Sequence, residues 1–203
     1  MDAKFVIGLL LSVIGNLVNA SKNFFDKRLQ LLLAAIAVLV WLIEYIFIYP
    51  SKTYIIVFAF TLIYLLAYRY KKELLRLFKV DIMFVLMVLF IILVACVVMY
   101  AYEGVDSIAG IVIMFLDIFA VFLFTSQGLR YKNCLVALLY TVIDMNLGNY
   151  FAVFLNMVNF IIPIITIVQH RKEKIIDTEG IKEYYELINF TKEIRRIKKQ
   201  KDF

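Results

Sequence analysis

Charged residues are scarce in this chain: 19% of 203 residues, against 64% that are hydrophobic. Soluble globular domains carry about 25% charged and about 45–50% apolar residues, and no core of this length could bury the excess. Histidine is scarcer still. The single His170 rules out a histidine-cluster metal site. Two cysteines, Cys96 and Cys134, both sit inside apolar runs; they make neither a disulfide framework nor a zinc knuckle and read as small apolar fillers. The seven glycines are scattered singly, which leaves no glycine-rich phosphate loop. No cofactor or metal is expected.

What is present is apolar and segmented. Of the 38 charged residues, 17 lie in the last 33, from Arg171 to Phe203, so the first 170 are more apolar still. A helix needs about 20 mostly apolar residues to cross about 30 Å of hydrocarbon. Candidate spans fall at 5–20, 29–49, 53–68, 82–102, 107–126, 133–148 and 150–168. Polar breaks separate them: Ser21 to Arg28, Tyr49 to Lys52, Arg69 to Glu73, Glu103 to Asp106, and Gln127 to Arg130. The Gly148-Asn149 pair alone divides the last two. Val18-Asn19-Ala20 is a poor cleavage site, so the first run reads as a span and not as a signal peptide.

Alternation of the basic residues supports seven spans. With an odd count, the 21–28, 69–80 and 127–132 loops share a side with the C-terminal tail. That side collects 20 Lys and Arg, against Lys4 and Lys52 on the other. Positive charge gathers on the cytoplasmic side, which predicts an N-terminus outside and a C-terminus inside. The net charge of +6 therefore reports topology, and nucleic acid is not an expected partner.

The spans repeat in layout. Three helices, a linking fourth and three more divide the chain into 1–80, 81–105 and 106–170, followed by a charged tail at 171–203. Ser21 matches Ser126 and Arg69 matches Arg171, so the two units share one orientation about an axis along the membrane normal. Lys27-Arg28-Leu29-Gln30-Leu31 leads into a helix ending Tyr49-Pro50. The second unit holds Gln127-Gly128-Leu129, Val142-Ile143-Asp144 and Met157-Val158-Asn159. Through these stretches the chain resembles the YgjV-type bacterial inner-membrane proteins, within the superfamily of SWEET sugar transporters, PnuC vitamin-precursor transporters and PQ-loop proteins. The resemblance implies an all-α integral membrane fold: two parallel three-helix bundles joined by a linker helix, in the inner membrane. It also departs from the pattern, having no Pro-Gln pair and carrying Trp41 and Asp144 where those relatives tend to show histidine.

Polar side chains inside spans are expensive and usually face a protein interior or water-filled cavity. Three acids qualify: Glu44, Asp117 and Asp144. Asn16 with Asn19, and Asn156 with Asn159, pair three residues apart on single helix faces; Asn146 accompanies Asp144, and Trp41 accompanies Glu44. These nine are candidates to line a solute path, with Trp41 able to stack on a sugar or nucleoside base. The asparagines serve equally well as interhelical glue. Glu44 lies near the outer end and could simply reach the interface, while Asp117 has no obvious partner. Pro163 is a hinge candidate or a fixed bend.

In the tail, Ile181, Tyr184, Ile188 and Thr191 recur at helical spacing and Arg195, Arg196, Lys198, Lys199 and Lys201 follow, as in an amphipathic helix lying on an anionic leaflet. The sequence thus reads as a facilitator or exchanger for a small polar solute such as a sugar, nucleoside or vitamin precursor. The alternative is a non-transporting receptor or scaffold acting through its tail. An enzyme is not expected. The lipid bilayer is the expected partner, and homo-oligomerisation is left open.

Overall fold

The computed structural model describes residues 3–48, 51–78, 82–146 and 150–189, apart from Gly180, Tyr184 and Leu187. The described chain is all-helical. Seven helices of 18 to 21 residues carry it: α1 (Ala3–Ser21), α2 (Lys27–Phe47), α3 (Lys52–Arg69), α5 (Ile82–Tyr100), α6 (Val105–Leu123), α7 (Ser126–Asn146) and α8 (Tyr150–Gln169). An eight-residue helix, α4 (Lys71–Phe78), joins α3 to α5. At 1.5 Å per residue the long helices measure about 27–32 Å, close to the hydrocarbon thickness of a bilayer. Four stretches are both long and apolar enough to cross a membrane: Ala3–Phe24, Lys27–Phe47, Lys52–Arg69 and Tyr150–Gln169.

Local chemistry sets the helix ends. Asp26 starts α2 by accepting a hydrogen bond from the Leu29 N–H at 2.9 Å, and Ser51 starts α3 by accepting from Tyr54 N–H at 3.3 Å. Gly104 precedes α6 with φ of +80°, a conformation that other residues adopt only under strain. Inside α8, Pro163 cannot donate to the carbonyl of Asn159 one turn earlier.

Packing order gives the architecture. α1 packs on α2, α2 on α3, α3 on α6, α6 on α7, α7 on α8, and α8 returns to α1. Six helices therefore form a closed ring, with α5 outside it against α3 and α6. The apolar core fills the α2–α3–α5–α6 side, around Val57, Tyr64, Leu65, Leu93, Met114 and Ile118. Gly110 permits the close approach of α6 to α3, since a Cβ there would sit 3.2 Å from Val57 Cγ2. The outward faces are apolar as well. Ile7, Leu10, Ile14 and Leu17 on α1, and Leu32, Ile36, Leu39, Ile43 and Ile46 on α2, are exposed at helical spacing. Continuous stripes of this length are rare on water-soluble monomers and are compatible with lipid.

Two stretches read as loops are helical. The 127–132 loop lies within α7, leaving only Phe124 and Thr125 between α6 and α7, so the helix expected from 133 begins at Ser126. The cause is Arg130. Its side chain is 2% exposed and donates from Nε to Asn23 O at 2.8 Å, from one terminal nitrogen to Gln127 Oε1 and Glu173 Oε2 at 3.0 Å each, and from the other to Phe25 O at 3.3 Å. A guanidinium so satisfied can be buried in a helix; it need not stay in a loop. Residues 71–78 of the 69–80 loop form α4. The chain after α8 is strapped to this end by an isolated antiparallel bridge between Phe124 and Ile176 and by Lys27 with Asp177 at 2.9 Å. Ile188 packs into the core cluster. Tyr49-Pro50, Gly148-Asn149, Tyr184, Thr191 and the basic run Arg195 to Lys201 lie outside the described residues.

At the opposite end, Glu103 accepts from the Ser51 hydroxyl at 2.5 Å and the Lys52 N–H at 3.1 Å, fastening the α5–α6 connection to the start of α3. Burial pushes its carboxyl up, but the bonds from Ser51, Lys52 and Thr53 together hold it below 4.5. A carboxylate with a depressed value stabilises the fold above its ordinary range and loses that contribution as pH falls through the depressed one. The melting temperature should therefore fall on acidification from about pH 5 to about pH 3, and Glu103→Gln should flatten that part of the profile. An unchanged profile in the variant would refute the role.

Candidate functional site

Inside the ring the helices present polar faces. On α1, Ser12, Asn16 and Asn19 recur every three or four residues and so lie on one side, and Lys22, in the turn that follows, continues the spacing. On α7, Asn133, Ala137, Tyr140 and Asp144 do the same, and on α8 so do Asn156 and Asn159. All of them line one cavity of about 820 Å³, within the range of about 300–1,000 Å³ usual for small-molecule sites.

Hydrogen bonds between helices fix these side chains. Asn159 Nδ2 donates to Asn16 Oδ1 at 2.6 Å, and Asn159 Oδ1 accepts from Asn19 Nδ2 at 3.0 Å, joining α8 to α1. Asn156 Nδ2 donates to Asp144 Oδ2 at 2.7 Å, joining α8 to α7. The Ser12 hydroxyl donates to Glu44, joining α1 to α2. Lys132 of α7 pairs with Asp117 of α6. Lys22 Nζ donates to Asn19 Oδ1 at 2.6 Å. Asn133 Nδ2 donates to Asn23 Oδ1 at 2.7 Å.

An aromatic wall completes the enclosure between α2 and α3. Trp41 stacks on Phe58 with ring centres 5.7 Å apart, Tyr54 stacks on Phe58 at 5.8 Å, and Tyr45 meets Tyr54 at 4.8 Å. The indole lies directly over Gly15 of α1. A Cβ at that position would come within 2.5 Å of Trp41 Nε1, so only glycine leaves room for the ring.

Eight of the nine path candidates line this one cavity: Asn16, Asn19, Trp41, Glu44, Asp117, Asp144, Asn156 and Asn159. The side chain of Asn146 lies outside the described residues. Pro163 is buried in α8 but is not part of the lining. Glu44 is 4% exposed and bonded to Ser12. Asp117, which lacked a visible partner in sequence, has Lys132. The cavity also holds Ser12, Lys22, Gln30, Lys132, Asn133 and Tyr64, none of them singled out from sequence. For Ser12 and Lys22 a signal existed, because they continue the Asn16–Asn19 spacing in both directions.

No protein-family model, curated protein or solved structure matches this chain. Its chemistry is therefore read from its own residues. Among the described residues no group of three His, Cys, Asp or Glu could hold a metal ion. Amides, carboxylates, ammonium groups and aromatic faces can together hold a polar organic molecule by hydrogen bonds and stacking.

Trp41 is the only tryptophan, so intrinsic indole fluorescence reports this wall alone. Gly15→Ala should displace the indole, shift its emission and cost about 1–3 kcal/mol through overpacking. Emission and stability identical to the parent protein would contradict the described contact.

Proposed function

We propose that this chain is a multi-pass membrane transporter, a facilitator or exchanger, that moves a small polar solute through the ring of helices. The observation that carries the reading is the cavity of about 820 Å³ bounded by six helices and lined by buried and half-buried amides, acids and lysines. Polar groups at membrane depth are costly and tend to mark a solute pathway. An all-glue role would require the polar groups to pack against one another, with no space between them.

On this reading the seven long helices cross the bilayer of a bacterial inner membrane, with the N-terminus outside and the C-terminus cytoplasmic. They form two parallel three-helix units, α1–α3 and α6–α8, with α5 as the linker. The packing order supports that division: exchanging the units maps the α1–α8 contact onto the α6–α3 contact and returns the same ring. The solute path then runs between the units, as expected at a repeat interface. Likeness to YgjV-type proteins and the wider SWEET and PnuC superfamily fits this plan and is part of the same proposal. Asn159 lies one turn from Pro163, so the proline's missing hydrogen bond gives α8 a point of bending beside the central amide network.

Purified protein reconstituted into liposomes should take up at least one member of a sugar, nucleoside and vitamin panel. Asp144→Asn, which keeps the shape of the side chain and removes its charge, should lower that uptake by about tenfold or more, the loss expected from one hydrogen bond to a charged group. Absence of uptake across the panel, together with an unaltered melting response in Asp144→Asn, would sink the proposal. In that case deletion of 178–203 tests the receptor or scaffold alternative, by abolishing the cellular phenotype while solute binding persists.

A further inference from the structure

We propose that the Lys22 end of the cavity binds a small organic anion that also carries a hydrogen-bond donor, of the hydroxy- or amino-carboxylate class. That such an anion is transported rests on the transport reading above; its binding stands on the geometry of this end alone.

Three charged groups meet there. Lys22 comes from the segment after α1, Lys132 from α7 and Asp117 from α6, and all three line the cavity. Asp117 pairs directly with Lys132. Burial, more than the neighbouring Lys132, disfavours the Lys22 ammonium, while Asp117 favours it, and its hydrogen-bond acceptor is the neutral amide of Asn19. Among the described residues Lys22 has no carboxylate within ion-pair distance. Lys22 is 7% exposed, and the Lys132 and Asp117 side chains are 12% and 17% exposed. Two lysines thus share one carboxylate at largely buried positions, where an unbalanced charge is expensive.

The other acids of the cavity do not supply the missing counter-charge. Glu44 is engaged by Ser12 and Asp144 by Asn156. Ser12 lies ten residues before Lys22 on α1, about 15 Å at 1.5 Å per residue. Asn133, Gln30 and Tyr64, all neutral, also line the cavity.

Gln30 adds an independent observation. It is 2% exposed, and among the described residues its Oε1 is the one buried side-chain oxygen or nitrogen without a hydrogen-bond partner. Its Nε2 donates to Ser126 O at 3.5 Å, which orients the free oxygen. A buried acceptor left unmet is costly and calls for a donor. A halide would balance Lys22 and leave Gln30 unmet. A neutral sugar would do the reverse. A carboxylate with an adjacent hydroxyl or ammonium group answers both.

A lipid headgroup is the other source of an anion, and the test separates the two. The full chain is placed in nanodiscs of purely zwitterionic lipid, and L-lactate, glycerate and L-serine are titrated by calorimetry and thermal unfolding, each beside its neutral amide. At least one acid should bind and raise the melting temperature while its amide does not. Lys22→Gln and Lys132→Gln should each weaken that acid by about tenfold, and Asp117→Asn should tighten it by a similar factor. The opposed signs distinguish charge balance from damage to the fold, which would weaken binding in all three variants. Equal binding of acid and amide, weakening by Asp117→Asn, or a response only to added phosphatidylglycerol would each overturn the assignment. Binding with the expected signs but without liposomal uptake would leave this inference standing and remove the transport reading.

Discussion

The Asn159 side chain donates a hydrogen bond to Asn16 and accepts one from Asn19, and through that pair the last helix of the ring closes on the first. Each amide used this way spares the protein an unmet polar group, which in an apolar setting costs about 2–7 kcal/mol. The net gain per interhelical bond is smaller, about 0.6 kcal/mol. The asymmetry explains the arrangement. In a bilayer, amides placed on inward faces favour closure, because opening the ring would expose all of them to hydrocarbon at once. Once closed, the ring has apolar stripes outside and a polar lining inside, the reverse of a soluble bundle.

The two ends of the ring are held by different chemistry. At one end Arg130 spends its guanidinium on Asn23, Phe25, Gln127 and Glu173, tying the α1–α2 connection, α7 and the segment after α8 into one node. Lys27 with Asp177 and the Phe124–Ile176 bridge reinforce it. At the other end Thr53, Ser107 and Glu103 link α3 to the α5–α6 connection by short polar contacts. The cavity lies between these fixed ends. Close to it, at Pro163, the helical ladder of α8 lacks one bond.

Much of this was legible in the sequence, and the misses have definite causes. The long helices sit over the apolar runs because hydrophobic length dominates at this composition. Asn16 with Asn19 and Asn156 with Asn159 identified cavity faces, since three-residue spacing fixes a shared face whatever the partner. Lys22, Arg130 and Lys132 were hidden because basic residues at the ends of apolar runs ordinarily report orientation. Only the fold shows that Arg130 is buried among carbonyl groups and that Lys132 turns inward to Asp117. Glu44 was ambiguous for a related reason: depth along a helix is readable from sequence, but its partner on another helix, Ser12, is not. The order of helices around the ring is likewise a property of pairings between distant segments, on which local periodicity is silent.

Asn16 and Asn156 line the cavity, whereas Ile14 and Leu17 are 48% and 59% exposed on the outer face; on the proposed transport reading the first pair meets water and the second lipid. Single cysteines at these four positions, with Cys96 and Cys134 replaced by alanine, can be probed in native membranes with a small water-soluble methanethiosulfonate reagent. The account predicts rapid modification at positions 16 and 156 and protection at 14 and 17. Rapid modification at 14 and 17 with protection at 16 and 156 would contradict it, since the apolar faces would then meet water and the polar ones a dry interior.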